Sequence, residues 1–248
     1  MGEEHGSARP SGSLLRRTAA TTVTAALAVV VSLTALPSAS AADHDAVRRV
    51  SSEADGTQLA TASLTASVSA DGRYAAYGAK GPRDGCPLPV STCLFVKDLR
   101  TAAVRRVGTA RDGTPGDADS SLVRLSDDGR RVVFNSRSAN LTPESPAGDQ
   151  WHPYVRDLRT GRIEAFGSAV RTASAADGTA RHVVLQEPDV LVLRDLRTGR
   201  QRAIAPWTAD ATLGAVARHG SEVVFASSEP DLVPGDTNGV SDVFLVHT

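Results

Sequence analysis

Lysine is almost missing from this chain of 248 residues: Lys80 and Lys97 stand alone, and every other basic side chain is arginine. Positive charge is not in excess either. The formal net charge is −1, which excludes an electrostatic case for nucleic acid or an anionic membrane surface. Aromatic residues make up 4%, too few for rows of stacking platforms under sugars or bases. Two cysteines and six histidines exclude a cysteine-rich scaffold. No Gly-x-Ser-x-Gly elbow, His-Glu-x-x-His helix or phosphate-cradling glycine loop occurs. No catalytic residue is therefore assigned.

One long apolar run exists, and it lies at the N-terminus. Arg16 and Arg17 precede an uncharged stretch from Thr18 to Leu36, Pro37 ends it, and Ala39-Ser40-Ala41 supplies small residues. That order predicts a signal peptide over residues 1–41, with Ala39 and Ala41 at the cleavage site and a secreted domain over 42–248. The run is about long enough to span a bilayer. Its Thr and Ala content favours cleavage over a retained anchor, so no membrane association is expected afterwards. The Arg16-Arg17 pair raises twin-arginine export, but the Thr-Ala-Ala that follows fits poorly and favours general secretion. In an oxidising compartment Cys86 and Cys93 are expected to form a disulfide that pins one loop. No Cys or His neighbour completes a ligand set, so no metal is expected there.

What the chain does have is repetition. Val47-Arg-Arg-Val50 returns as Val104-Arg-Arg-Val107, Asp55-Gly-Thr57 as Asp112-Gly-Thr114, and Asp71-Gly-Arg73 as Asp128-Gly-Arg130, each 57 residues later. A second series is Lys97-Asp-Leu-Arg-Thr101, Arg156-Asp-Leu-Arg-Thr-Gly161 and Arg194-Asp-Leu-Arg-Thr-Gly199. Four apolar runs precede them in phase, beginning at Tyr74, Arg131, His182 and Glu222. Each unit reads as four strands, a to d. In the second unit they are Ser121–Ser126, Arg131–Ser136, Pro153–Arg156 and Arg162–Gly167. Asp-Gly supplies the positive φ of a tight a–b hairpin, and the Asp of Asp-Leu-Arg-Thr accepts backbone N–H groups in the c–d turn. Asp98, Asp157 and Asp195 are thus structural.

Four such units predict an all-β fold, a β-propeller of four blades with four antiparallel strands each. The last unit stops after strand c, while Val47–Val50 matches a strand d with no blade before it. The N-terminal strand is expected to complete the last blade and close the ring.

Ser69-Ala-Asp-Gly-Arg73 with its apolar strand, and the Asp-Leu-Arg-Thr-Gly hairpin, resemble the TolB-type, WD-repeat-like propeller repeat. The stretch Asp231 to Phe244 is similar to secreted actinobacterial members. The resemblance covers residues 46–248 and implies a propeller. TolB itself is similar to a six-bladed propeller with an extra N-terminal domain, which this chain does not match.

The b–c loops are long and dissimilar, except a short one near Gln186 to Asp189, and variation on one face marks where a ligand would be met. Candidate binding residues are Trp151 and His152 at one loop end, and Asp236, Asn238 and Asp242 in another. The second set hints weakly at calcium, although a turn explains Asp and Asn there as well, so no cofactor is assigned. Two functions remain. One is a non-catalytic binding or scaffolding module for a protein or cell-envelope partner. The other is a small propeller enzyme, a lyase or glycoside-active protein, with its site at the ring axis. Such enzymes need acids or histidines on inner strands, and strand a carries Ala66, Val68, Val123 and Leu125 instead. Binding is the expectation. Whether the chain is a monomer or self-associates is left open.

Overall fold

The computed structural model describes residues 47–81, 86, 92–146, 149–206 and 212–248. The expected signal segment lies outside the described residues. Sheet 1 contains β1 (Ser63–Val68), β2 (Tyr74–Lys80), β3 (Thr92–Asp98) and β4 (Val104–Arg106). Sheet 2 contains β5 (Ser120–Leu125), β6 (Arg131–Ser136), β7 (His152–Asp157) and β8 (Ile163–Ala165). Sheet 3 contains β9 (Thr172–Ala176), β10 (His182–Gln186), β11 (Val190–Asp195) and β12 (Gln201–Pro206). Sheet 4 holds three strands, β13 (Thr212–Val216), β14 (Glu222–Ser227) and β15 (Asp242–His247). Every sheet is an antiparallel meander with its strands in chain order. Strands a to d of the second unit lie within a residue or two of their expected limits.

The sheets pack face to face in chain order, a propeller-like arrangement. Ala76, Leu94 and Val96 of sheet 1 meet Leu125, Val132, Phe134 and Tyr154 of sheet 2. Val133 and Val155 of sheet 2 meet Ala173, Val183, Leu185 and Val192 of sheet 3. Val184, Leu191 and Leu193 of sheet 3 meet Val223, Phe225 and Phe244 of sheet 4. Strand b of sheet 2 is buried over three successive residues, Val132 to Phe134, because a neighbour covers each of its faces. The Phe134 and Tyr154 rings stack across that strand pair, 5.6 Å between centroids. Full burial of each such ring contributes roughly 1.5–3 kcal/mol. Strand β15 alternates instead, half-buried then exposed along its length, as expected for a sheet covered on one face.

The structure corrects the expected closure. Beyond β15 no further strand is paired among the described residues. Arg48–Ser52 lies on the outer face of sheet 1 and forms no strand beside β15. The Arg48 guanidinium donates to the Leu99 carbonyl at 3.2 Å. The Lys97 ammonium donates to the carbonyls of Ser52 at 3.3 Å and Glu53 at 3.1 Å. Val50 packs beside Leu59, Tyr77 and Phe95. The buried Lys97 ammonium needs oxygen partners and anchors this segment to sheet 1, so the segment keeps its place there without a strand beside it. Of the apolar residues on strand a, Leu125 is buried between sheets 1 and 2, whereas Ala66 and Val68 are exposed.

Candidate functional site

A meander of four strands places its a–b and c–d turns at one end and its b–c loops and d–a linkers at the other. The turn end is built from local carboxylate caps. Asp98 Oδ1 accepts from the Arg100 and Thr101 amides, Asp157 Oδ1 from those of Arg159 and Thr160, and Asp195 Oδ1 from that of Arg197. These are the structural roles expected from the repeat. Arg73 holds Asp98 at 2.9 Å and Arg181 holds Asp195 at 2.6 Å, tying each a–b turn to its c–d turn. The guanidinium bonds, first of several donors, hold both carboxyls below the usual carboxylate range. For Asp157 burial pushes upward, but the bonds from Thr160 and Arg159 outweigh it and the carboxyl ends up lowered.

The a–b turns share one plan with different atoms. Ser69 Oγ accepts from the Tyr74 amide at 2.9 Å, and Ser126 Oγ from the Arg131 amide at 2.9 Å. In sheet 3 the place belongs to Asp177, whose Oδ1 accepts from the amides of Arg181 at 2.9 Å and His182 at 3.2 Å. Its Oδ2 meets His182 Nδ1 at 2.8 Å. Burial raises the Asp177 carboxyl, yet the bonds from His182, Arg181 and Thr179 bring it below its ordinary value.

The loop end is held by side chains that cross between sheets. The Thr92 amide donates to Asp119 Oδ1 at 2.9 Å, linking the end of the first b–c loop to the linker before β5. Asn140 accepts from the Asp117 amide at 3.2 Å and donates to the Pro115 carbonyl at 2.9 Å. Asp117 accepts from the Ala139 amide in return, at 2.9 Å. The Cys86–Cys93 disulfide, with Cα atoms 5.9 Å apart, ties the first b–c loop to the start of β3, as expected.

Trp151 and His152 sit at the loop end of β7. Trp151 is half-buried, and the Arg137 guanidinium lies over its ring at 5.7 Å. Arg137 also pairs with Asp149. His152 is buried, with Nδ1 3.2 Å from the Val170 carbonyl, so Nδ1 carries the proton; among the described residues Nε2 has no hydrogen-bond partner. Asp236, Asn238 and Asp242 fall on sheet 4, in a different loop. The Asn238 amide donates to Asp242 Oδ2 at 2.9 Å, and Asn238 Oδ1 accepts from the Val240 amide at 3.0 Å. These are bonds of a turn. Asp236 is half-buried and borders a shallow cleft with Val233, Val243 and Leu245. Among the described residues, no three His, Cys, Asp or Glu side chains are placed to share a metal ion. Nor do the described histidines converge. His182 belongs to a turn, His219 to a 3-10 turn, and His247 faces Glu222 on the outside of sheet 4.

The sequence reading missed the most regular contact in the molecule. Lys97 donates to the Ser52 carbonyl, Arg156 to that of Thr109 at 2.5 Å, and Arg194 to that of Phe166 at 3.1 Å. Strand c of sheets 1, 2 and 3 therefore grips the backbone that precedes strand a of its own unit. Burial lowers the Arg156 pKa, with Arg105 nearby adding to it, as befits a cation held by carbonyls rather than by an acid. The signal was present as the basic residue before each Asp-Leu-Arg-Thr.

No family model matches the chain, and no curated protein matches it. Solved structures similar to it include TolB from Acinetobacter baumannii, with a TM-score of 0.46, 19% identity, and 66% of this chain and 37% of that one covered. A putative TolB from Agrobacterium tumefaciens gives a TM-score of 0.38 at 17% identity, covering 60% of this chain and 50% of that one. The Pyrococcus horikoshii acylaminoacyl peptidase gives 0.43 at 12%, covering 74% and 32%. The chain thus spans between a third and a half of the length of these structures.

Proposed function

We propose that the chain is an exported, non-catalytic binding module, its four sheets the blades of a β-propeller and its loop end the surface that meets a protein or cell-envelope partner. The observation that carries this reading is the contrast in how the two ends are held. The turn end is occupied by repeated caps, whereas the loop end presents dissimilar segments fixed by bonds such as Thr92–Asp119 and Asn140–Pro115. Varied chemistry on a rigid support is what selective recognition requires. Trp151, flanked by Arg137, is the anchor of the kind that dominates interface energies. Export is supported by the N-terminal segment read above and by a disulfide, which persists in oxidising compartments. The module needs no cofactor, and Asp236, Asn238 and Asp242 are assigned to a turn at the rim.

The test is chemical cross-linking of the purified protein to the cell-envelope fraction of its own host. Trp151→Ala and Arg137→Ala are expected to reduce capture at least tenfold with unchanged circular dichroism. Capture that survives both substitutions, and survives shortening of the loop between Ser138 and Asp149, overturns the loop-end assignment.

A further inference from the structure

Among the described residues, sheets 1 and 4 each leave one face uncovered, and the two faces are halves of a junction that the chain builds three times inside itself. On sheet 4, Val243 is 74% and Leu245 56% exposed. By strand register these positions match Leu94 and Val96 of sheet 1, each 1% exposed, and Leu191 and Leu193 of sheet 3, 2% and 8% exposed. The residue types are the same; among the described residues no sheet follows sheet 4. On sheet 1 the bare region is a groove of about 580 Å³ bounded by Arg48–Ser51 on one side and by Ser63–Val68 with Ala75–Tyr77 on the other. The corresponding space on sheet 2 is filled by Ala76, Leu94 and Val96 of sheet 1.

The segment beside that groove is already shaped for a preceding sheet. Arg48 bonds the Leu99 carbonyl as Arg105 bonds that of Leu158. Ser52 pairs with Gln58 as Thr109 pairs with Pro115, and Asp55 caps the Thr57 amide as Asp112 caps that of Thr114. Residues 48–58 thus sit on sheet 1 as 105–115 sit on sheet 2. The difference is upstream. Val104–Arg106 is hydrogen-bonded along β3, whereas Arg48–Val50 is not assigned to a strand, and β15 has an unpaired edge among the described residues. Transferring the β3–β4 register places Arg48 opposite Leu245 and Arg49 opposite Phe244.

We propose that two copies of this chain associate head to tail, the Arg48–Val50 segment of one adding as the fourth strand to β15 of the other. Val243 and Leu245 then enter the groove on sheet 1. A second copy is the favoured occupant because both half-junctions are open at once while the three internal ones are packed. The chain's own sheets 1 and 4 share no hydrophobic cluster, so joining them would disturb packed interfaces, which do not deform continuously. A second copy changes none of them. Two copies form two identical junctions and close on themselves, as cyclic assemblies do. The resulting ring has about eight sheets, within the range in which propellers close.

The test uses the full chain. Light scattering after size exclusion is expected to give twice the single-chain mass, and Leu245→Asp, an exposed substitution, to give the single-chain mass with unchanged circular dichroism. Arg48→Cys and Leu245→Cys, made separately and mixed under mild oxidation, are expected to form a disulfide-linked pair containing one of each. Full chain at single-chain mass overturns the proposal. So does an internal disulfide in the double variant when the mixed single variants give none.

Discussion

The two ends of the sheets solve the same problem, reversing a chain, in opposite ways. At the turn end one solution recurs: a side-chain oxygen at Ser69, Ser126 or Asp177 accepts the amides that the hairpin leaves unpaired. At the loop end each connection is fixed by a different device, a disulfide in sheet 1 and an Asn–Asp exchange in sheet 2. Repetition therefore marks stability and its absence marks the face left for recognition. Neighbouring units could exchange their turns with little consequence, but not their loops.

Four measurements would break or sharpen this contrast. The largest effect is expected at the loop end. Replacing Cys86 and Cys93 together by Ser removes a closure of seven residues' separation, which by loop entropy is worth about 2.5 kcal/mol, read from the urea midpoint. An unchanged midpoint would mean that the loop is held without its cross-link. At the turn end, Asp177→Ala strands two amides and costs about 2 kcal/mol, whereas Asp177→Ser should cost less than half as much, since Ser69 and Ser126 serve the same turn. Equal losses for both would remove the equivalence of the turns. Ala102 adopts φ 63° where Gly161 and Gly199 stand in the other copies, so Ala102→Gly should gain about 1 kcal/mol in the same assay. The smallest effect concerns acid. Asp98 and Asp195 titrate below their ordinary value when folded, so their contribution is present above about pH 3.9 and is lost as pH falls through the folded value. Asp195→Asn should flatten the fall in urea midpoint between pH 5 and 2; an unaltered slope would detach the Arg181 pair from stability.

Much of the fold was legible because the repeat is written in residues with fixed backbone roles. Strand b was placed at Arg131–Ser136 and found there, and the shortage of a fourth strand in the last unit was visible from the missing Asp-Leu-Arg-Thr. Sheet 3 shows how a motif misleads. Asp177-Gly178 looks like the hairpin dipeptide, yet Asp177 holds the serine position and the left-handed residue is Ala180, at φ 49°. Side-chain chemistry had moved while the backbone had not. The destination of Arg48–Ser52 was harder. Similarity identified it as a strand d, and its contacts with sheet 1 match those of 105–115 with sheet 2; the missing pairing with β15 depends on how the sheets stack, which no local residue pattern carries. Trp151 and His152 lie at the loop end of β7, and Asp236 lies two sheets further along, in the separate loop where the sequence reading put it.

The cation that strand c of the first three sheets sends to the preceding backbone has a last consequence. Sheet 4 carries Val246 where sheets 1, 2 and 3 carry Lys97, Arg156 and Arg194, so its seam with sheet 3 is apolar and lacks that clasp. In a row of stacked units, opening starts at the weakest seam. Amide exchange along β14 and β15 should accordingly outpace that in the interior strands, and unzipping should proceed from sheet 4 toward sheet 1.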